Sequence, residues 1–272
     1  MKRQREASMQ QDDTQHISST SKPSMTDPRD IAELLEDWEF KPGTIGVRLV
    51  SLANRDTIQM RVEMGVLQME TTDRPDGYRP GGMATYLDFL IAERISGGED
   101  WRLSVEHCTE IDREFMQFYQ RRISWLQLKE YANVVRDANH TLALMDFCEE
   151  YSPEESWGMS HEQYRPFVLF HRTQADALQA LQATTPENAI ERINAGLNCI
   201  HKVFEQHEIV EHFEDDELVN HLRATRESLR AEYKIGMTLN EQLEQAIHDE
   251  QYELAAELRD QIGTSPSPPT SM

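Results

Sequence analysis

The chain has 272 residues, with 49 acidic against 27 basic side chains and a formal net charge of -22 at pH 7. That length admits one or two domains with a sizeable core. At 38% hydrophobic and 28% charged residues, the composition describes a well-solvated helical protein or one with disordered ends. The acidity argues against a nucleic-acid surface, because phosphate binding needs concentrated Lys and Arg. No apolar run reaches the ~18 residues that a membrane span requires, and the opening MKRQREASMQQ lacks the apolar core of a signal peptide. Cys108, Cys148 and Cys199, odd in number and widely spaced, fit a reducing cytoplasm.

Residues 1–27 are polar with almost no apolar anchor and read as a disordered tail, as does the Pro-rich stretch 263–272. Residues 1–30 hold five basic and five acidic side chains, so the whole charge excess falls on the rest of the chain. The basic group Lys2, Arg3 and Arg5 reads as a solvated terminus. A short helix is predicted over 30–38, with Ile31, Leu34, Leu35 and Trp38 on one face, broken by Pro42-Gly43.

From Ile45 the period becomes two. Ile45, Val47 and Leu49 form one alternating run; Ile58, Met60, Val62, Met64 and Val66 form a second of nine residues, with turn formers at 53–56 between them. This predicts a β-hairpin with one buried face. The loop Arg74–Gly82 follows, rich in Pro and Gly. It reads either as a rigid connection or as a clamp in which Arg74 and Arg79 hold a carboxylate or phosphate.

From Met83 onward the period is helical. The stretch Met83–Ile91 is closed by Ser96-Gly97-Gly98, and a second helix starts after Ser104 as N-cap and runs to Leu128. Aromatic residues Trp125 and Tyr131 sit at helical spacing and are assigned to the core. Phe118–Leu144 resembles a tetratricopeptide repeat: two helices joined at Leu128–Tyr131, with Val134, Ala138, Thr141 and Leu142 at the packing positions, but with Arg122 where a small residue is usual. A second match runs from Ala175 through the break at Thr185-Pro186-Glu187 to Ala189, Ile193, Gly196 and Leu197. The two copies lie 55 residues apart rather than 34, and the segment 149–166 between them reads as an irregular insertion. Helical hairpins too thin to bury their own apolar stripe would stack to share a core.

His201, His207, His212 and His221 fall in one acidic stretch. A zinc-peptidase helix needs two imidazoles four residues apart, whereas His207 and His212 are five apart, turning one about 140° from the other on a helix. These side chains are assigned to solvated helix faces. No phosphate-binding glycine loop, no dinucleotide fingerprint and no nucleophile elbow is present. No catalytic set, metal or cofactor is expected.

Thr238–Ile262 predicts two short amphipathic helices. Leu239, Leu243, Ala246 and Ile247 lie on one face of the first, which Thr238 and Glu241 start as a capping box. A bend falls at 248–251, and the second helix carries Tyr252, Ala255, Ala256, Leu258 and Ile262. The pattern Leu239, Leu243, Ala246, Tyr252-Glu253, Ala255-Ala256, Leu258-Arg259-Asp260, Ile262 resembles the UVR motif of the UvrB and UvrC excision-repair proteins, Clp-type ATPase subunits and the McsA adaptor. The resemblance implies an antiparallel helical hairpin that contacts a protein partner, often a second copy of the motif, and implies no catalytic or nucleotide site.

The expected fold is mainly α with a small N-terminal β-hairpin element: stacked helical hairpins ending in a UVR-type hairpin. Boundaries are expected at 1–27 (tail), 28–100 (β-hairpin-containing domain), 101–235 (tetratricopeptide-like helices), 236–262 (UVR-type hairpin) and 263–272 (tail). The expected function is a cytoplasmic, non-enzymatic adaptor. Its partner-binding residues would be Leu239, Leu243, Ala246, Tyr252, Ala255, Ala256, Leu258, Arg259 and Ile262, and its partner a protein, another UVR-type hairpin or itself. Direct nucleic-acid binding and membrane association are not expected. The alternative is an accessory factor of nucleotide excision repair.

Overall fold

A computed structural model describes residues 31–52 and 55–264. The two expected tails lie almost wholly outside this range, as do Lys2, Arg3 and Arg5. The chain divides into two compact units, residues 1–39 and 40–272. The described part of the first holds α1 (Ala32–Glu36), shorter than the expected 30–38 helix. Ile31 offers no capping side chain, and the Asp37 N–H closes the helix onto Glu33 O.

The second unit opens with an antiparallel sheet of three strands, β1 (Gly46–Leu52), β2 (Arg55–Val62) and β3 (Gly65–Glu70), in the order β1-β2-β3. The expected single strand through Met64 is therefore two strands. Val62 pairs with Gly65 across a two-residue turn at Glu63 and Met64. The two-residue turn reverses the parity: Ile58, Met60 and Val62 pair with Met69, Leu67 and Gly65, so Val66, which continues the alternation in sequence, pairs with Arg61 on the opposite face. Ile58, Met60 and Met69 bury one face against Trp125, Val134 and Ala175. On the other face Arg48 Nε donates to Gln59 Oε1 at 2.9 Å and Gln59 Nε2 donates to Gln68 Oε1 at 3.0 Å, bridging all three strands.

The loop after β3 is fixed to the helices by arginines. Arg121 donates from Nη1 to the carbonyls of Glu70 and Asp73 at 3.0 and 2.8 Å, and Arg136 donates to that of Thr71 at 2.9 Å. Arg74 and Arg79 do not form a joint clamp. Arg74 turns inward to Glu110 at 3.0 Å, while exposed Arg79 pairs with Asp73 at 2.6 Å.

Helix α2 (Tyr86–Gly97) starts three residues later than its apolar pattern, because Thr85 and Asp88 form a reciprocal capping box. Ser104 accepts the His107 N–H at the start of α3 (Val105–Leu128), which a two-residue turn joins to α4 (Tyr131–Tyr151). The segment between the repeat-like hairpins is not irregular: it contains α5 (Glu155–Glu162). Trp157 anchors α5 to the cluster of Leu90, Ile111 and Leu144.

The next hairpin is α6 (Arg165–Ala183) and α7 (Pro186–Gln206), with Pro186 at the first helical position and Thr185 as N-cap. Gly196 lets these helices approach closely, since a Cβ there would lie 2.0 Å from Thr173 Oγ1. The stretch around His207 leaves the helix, passing through a short 3-10 turn at Val210–His212 before α8 (Glu217–Tyr233). Ile193, Ile200, Phe204, Phe213, Val219 and Leu222 form the core of this end. His201, His207 and His212 face Glu205, Glu162 and Glu211 at 3.5, 3.6 and 4.0 Å, and His221 packs edge-on against Phe170. Trp125 is core, Tyr131 packs beside it, and Tyr164 is exposed.

Candidate interaction hairpin at the C-terminus

Helices α9 (Leu239–His248) and α10 (Tyr252–Thr264) form the terminal hairpin, and α10 runs two residues into the stretch expected as tail. Thr238 starts it as anticipated. Its hydroxyl accepts the Glu241 N–H at 3.4 Å and the Glu241 carboxylate accepts the Thr238 N–H at 2.8 Å. The bend is a Schellman turn: the Gln251 N–H reaches Ala246 O at 2.8 Å and the Glu250 N–H reaches Ile247 O at 3.1 Å, with Glu250 left-handed at φ 57°.

The nine candidate residues divide between two surfaces. Ala246, Ala255 and Leu258 are buried together, with Leu243 packed on them, and form the seam between α9 and α10. The alanines lack bulk, so the helices pack closely. Ile262 is half-buried. Leu239, Tyr252, Ala256 and Arg259 face outward, and Arg259 lies 3.1 Å from Asp260 beside it. Two further apolar side chains join the outer surface: Ile247, 54% exposed, and Leu254, 43% exposed, alongside Tyr252 at 68%. Leu254 escaped the sequence reading: four residues before Leu258, it borders the seam, about 160° around α10 from Tyr252.

A polar knot ties α9 to the body. Glu241 accepts from Asn194 Nδ2 of α7 at 2.8 Å and from Arg230 of α8. Asn194 Oδ1 in turn accepts from Arg226 at 2.9 Å, and Asn240 donates to Glu191 at 2.8 Å. Burial acts to raise the Glu241 pKa, but the Thr238 N–H, Asn194 and Arg230 outweigh it and hold the carboxyl below its ordinary range.

The hairpin geometry, the capping box and the alanine seam all fall within one matched segment: residues 238–264 match the UvrB/uvrC motif family. The chain carries a UVR motif. The match covers the hairpin and nothing N-terminal to it. No curated protein and no solved structure matches the chain. Around the UVR hairpin the charge is strongly one-sided, with seven acidic residues against one basic between 238 and 264. No described helix is long and apolar enough to cross a membrane.

Proposed function

We propose that this chain is a non-enzymatic adaptor of the cytoplasm that recruits a protein partner through its UVR hairpin. One observation carries the reading. The hairpin satisfies its own seam with Leu243, Ala246, Ala255 and Leu258, yet leaves Leu239, Ile247, Tyr252 and Leu254 in water. Exposed apolar side chains grouped on one small element are what a partner would cover. UVR motifs occur in excision-repair proteins that contact one another, which supports a protein partner. The acidic rim favours a basic partner surface and association that weakens as salt rises. It also opposes pairing of two like-charged copies of this hairpin. The three free cysteines fit a reducing compartment.

The test compares partners captured by the full chain, by a chain ending at Ile235, and by the outward variant Ile247→Asp/Leu254→Asp, which leaves the seam intact. The expected result is loss of the same partners from both altered forms, and salt-sensitive capture by the full chain. Identical partner lists for all three overturn the reading. The motif match also supports a second reading, an accessory factor of nucleotide excision repair that recruits repair proteins or contacts DNA. Salt-dependent DNA binding in a gel-shift assay would favour that reading.

A further inference from the structure

A second feature lies apart from the hairpin, between the Arg74–Gly82 loop and helices α2 and α3. It is a cleft of about 580 Å³ whose walls include Arg74, Tyr78, Tyr86, Phe89 and Glu110. Its hydrogen-bonding groups are unevenly satisfied. Glu114 accepts the N–H groups of Tyr86 and Leu87 at 2.7 and 3.2 Å, and its Oε1 lies 2.9 Å from His140 Nε2. Glu110 accepts from Arg74 Nη2 at 3.0 Å and from Arg113 Nη1 at 2.7 Å. Asp76 accepts from the Tyr78 N–H at 2.9 Å and from Gln117 Nε2 at 2.8 Å. All six carboxylate oxygens are engaged.

Arg74 is not. Its side chain is only 1% exposed; Nη2 is bonded and Nε lies 3.4 and 3.6 Å from Glu114 and Asp76, but Nη1 is sealed from solvent with no hydrogen-bond partner among the described residues. Buried guanidinium donors are normally paired, so this cleft lacks an acceptor. Its charges are close to balanced: Arg74 and Arg113 offset Asp76 and Glu110, and Glu114 sits on the positive end of α2. A cation entering here would meet the Arg74 guanidinium. The remaining walls are aromatic, with Tyr86 and Phe89 stacked at 5.4 Å. The Tyr78 ring is centred 5.6 Å from Arg74 Cζ and is itself 60% exposed.

We propose that this cleft binds a flat apolar ligand carrying an oxygen acceptor, a carboxylate or a carbonyl. Tyr78 swings aside to uncover the guanidinium, the oxygen takes the Nη1 hydrogen of Arg74, and the ligand body rests on Phe89 and Tyr86. The full chain is titrated with benzoate, benzamide and benzylamine while the Arg74 side-chain N–H signals are followed by NMR. Benzoate or benzamide is expected to shift those signals with Kd on the order of 1 mM, as befits so small a ligand. Binding by benzoate alone identifies a carboxylate; binding by benzamide as well identifies a shared carbonyl oxygen. Phe89→Ala, which removes a wall the ligand rests on, is expected to weaken binding about tenfold, equivalent to about 1.4 kcal/mol, while Tyr78→Ala, which removes the covering ring, is expected to leave binding at least as tight. The proposal is overturned if neither oxygen ligand moves the Arg74 signals, or if benzylamine binds as tightly as benzoate.

Discussion

Arg121 on α3 donates to both oxygens of Asp137 on α4, at 2.7 and 2.9 Å, with both side chains sealed from water. The same guanidinium holds the carbonyls after β3, so one buried ion pair joins the sheet to the helical layer. Removing Arg121 leaves the buried Asp137 carboxylate bonded through Oδ1 alone, to Arg136 at 3.0 Å, and strands Oδ2. Arg121→Met is expected to cost about 3–5 kcal/mol, read as a fall in the urea midpoint. The double variant Arg121→Met/Asp137→Leu should recover part of that loss, since no orphan carboxylate remains. A double variant no more stable than the single one would show that the carbonyl contacts, not the pairing, carry the effect.

Gly196 offers a steric counterpart. Its α-carbon packs where a methyl group would press into buried Thr173. Ala is the better helix former by about 1 kcal/mol, so helix propensity alone predicts that Gly196→Ala stabilises. Packing predicts the reverse, a loss of about 1–3 kcal/mol from overpacking. Thermal unfolding decides by its sign, and the second variant Gly196→Ala/Thr173→Ser should relieve part of the penalty.

How far the fold could be read from sequence follows from these examples. Local chemistry was legible: Ser104 and Thr238 each start a helix where their capping patterns place them, and the break at Thr185-Pro186-Glu187 starts another. Signals whose period does not change were not legible. The alternation runs on in sequence to Val66, but the turn at Glu63 and Met64 puts Val66 on the face opposite Val62 and brings Met69 beside Ile58. Helices α3, α7, α8 and α9 end at left-handed Lys129, Glu208, Lys234 and Glu250 rather than at glycine. The break at His207 therefore carried no glycine marker. Burial of charge was not legible either: Arg74, placed in a turn-rich loop, and Arg122, noted only as a departure from the repeat pattern, are fully buried, as is Arg121. In the UVR hairpin, Ala246 and Ala255 have the spacing of either an internal seam or an external contact, and only the packing separates those roles.

His171 gives a pH dependence. It is buried between Phe167 and Phe170, and its Nδ1 accepts from Arg122 Nε at 3.4 Å. Burial, and then the Arg122 charge, push its pKa down from 6.5 to about 4. The unfolded chain therefore takes up this proton below about pH 6.5, and the folded chain only near pH 4. The folded state is fully favoured above 6.5 and loses ground as pH falls between those values. The loss by pH 4 is about 3 kcal/mol. Urea titrations from pH 7 to 4.5 should show the decline, and His171→Gln, which keeps an acceptor for Arg122, should flatten it. Equal slopes for both proteins would exclude His171 as the source.

The hairpin turn carries a substitution with the opposite sign. Glu250 occupies the left-handed position of the Schellman turn, a conformation costing a non-glycine residue about 1 kcal/mol. Glu250→Gly is expected to stabilise the hairpin by up to about 1 kcal/mol, seen as slower amide exchange at Ala255 and Leu258. Unchanged or faster exchange there would show that glycine's greater chain entropy in the unfolded state cancels the gain.

The anchoring of the hairpin rests on Glu241. Its carboxylate joins the α9 cap to Asn194 on α7 and Arg230 on α8, and its pKa lies below the ordinary 4.5. A depressed carboxyl contributes its stabilisation above the unfolded value and loses it as pH falls through the folded one. Glu241→Gln keeps the size of the side chain and removes the charge, so at neutral pH it should reproduce what acid does to the native chain. The expected signature is selective. Amides of α9 lose protection from exchange while those of α7, which belong to the core around Ile193 and Ile200, keep theirs. A hairpin released in this way should still capture a partner, because its seam and its outward apolar residues are untouched, but it should no longer hold that partner at a fixed orientation to the body. Equal loss of protection in α7 and α9 would mean that Glu241 supports the core rather than the anchor.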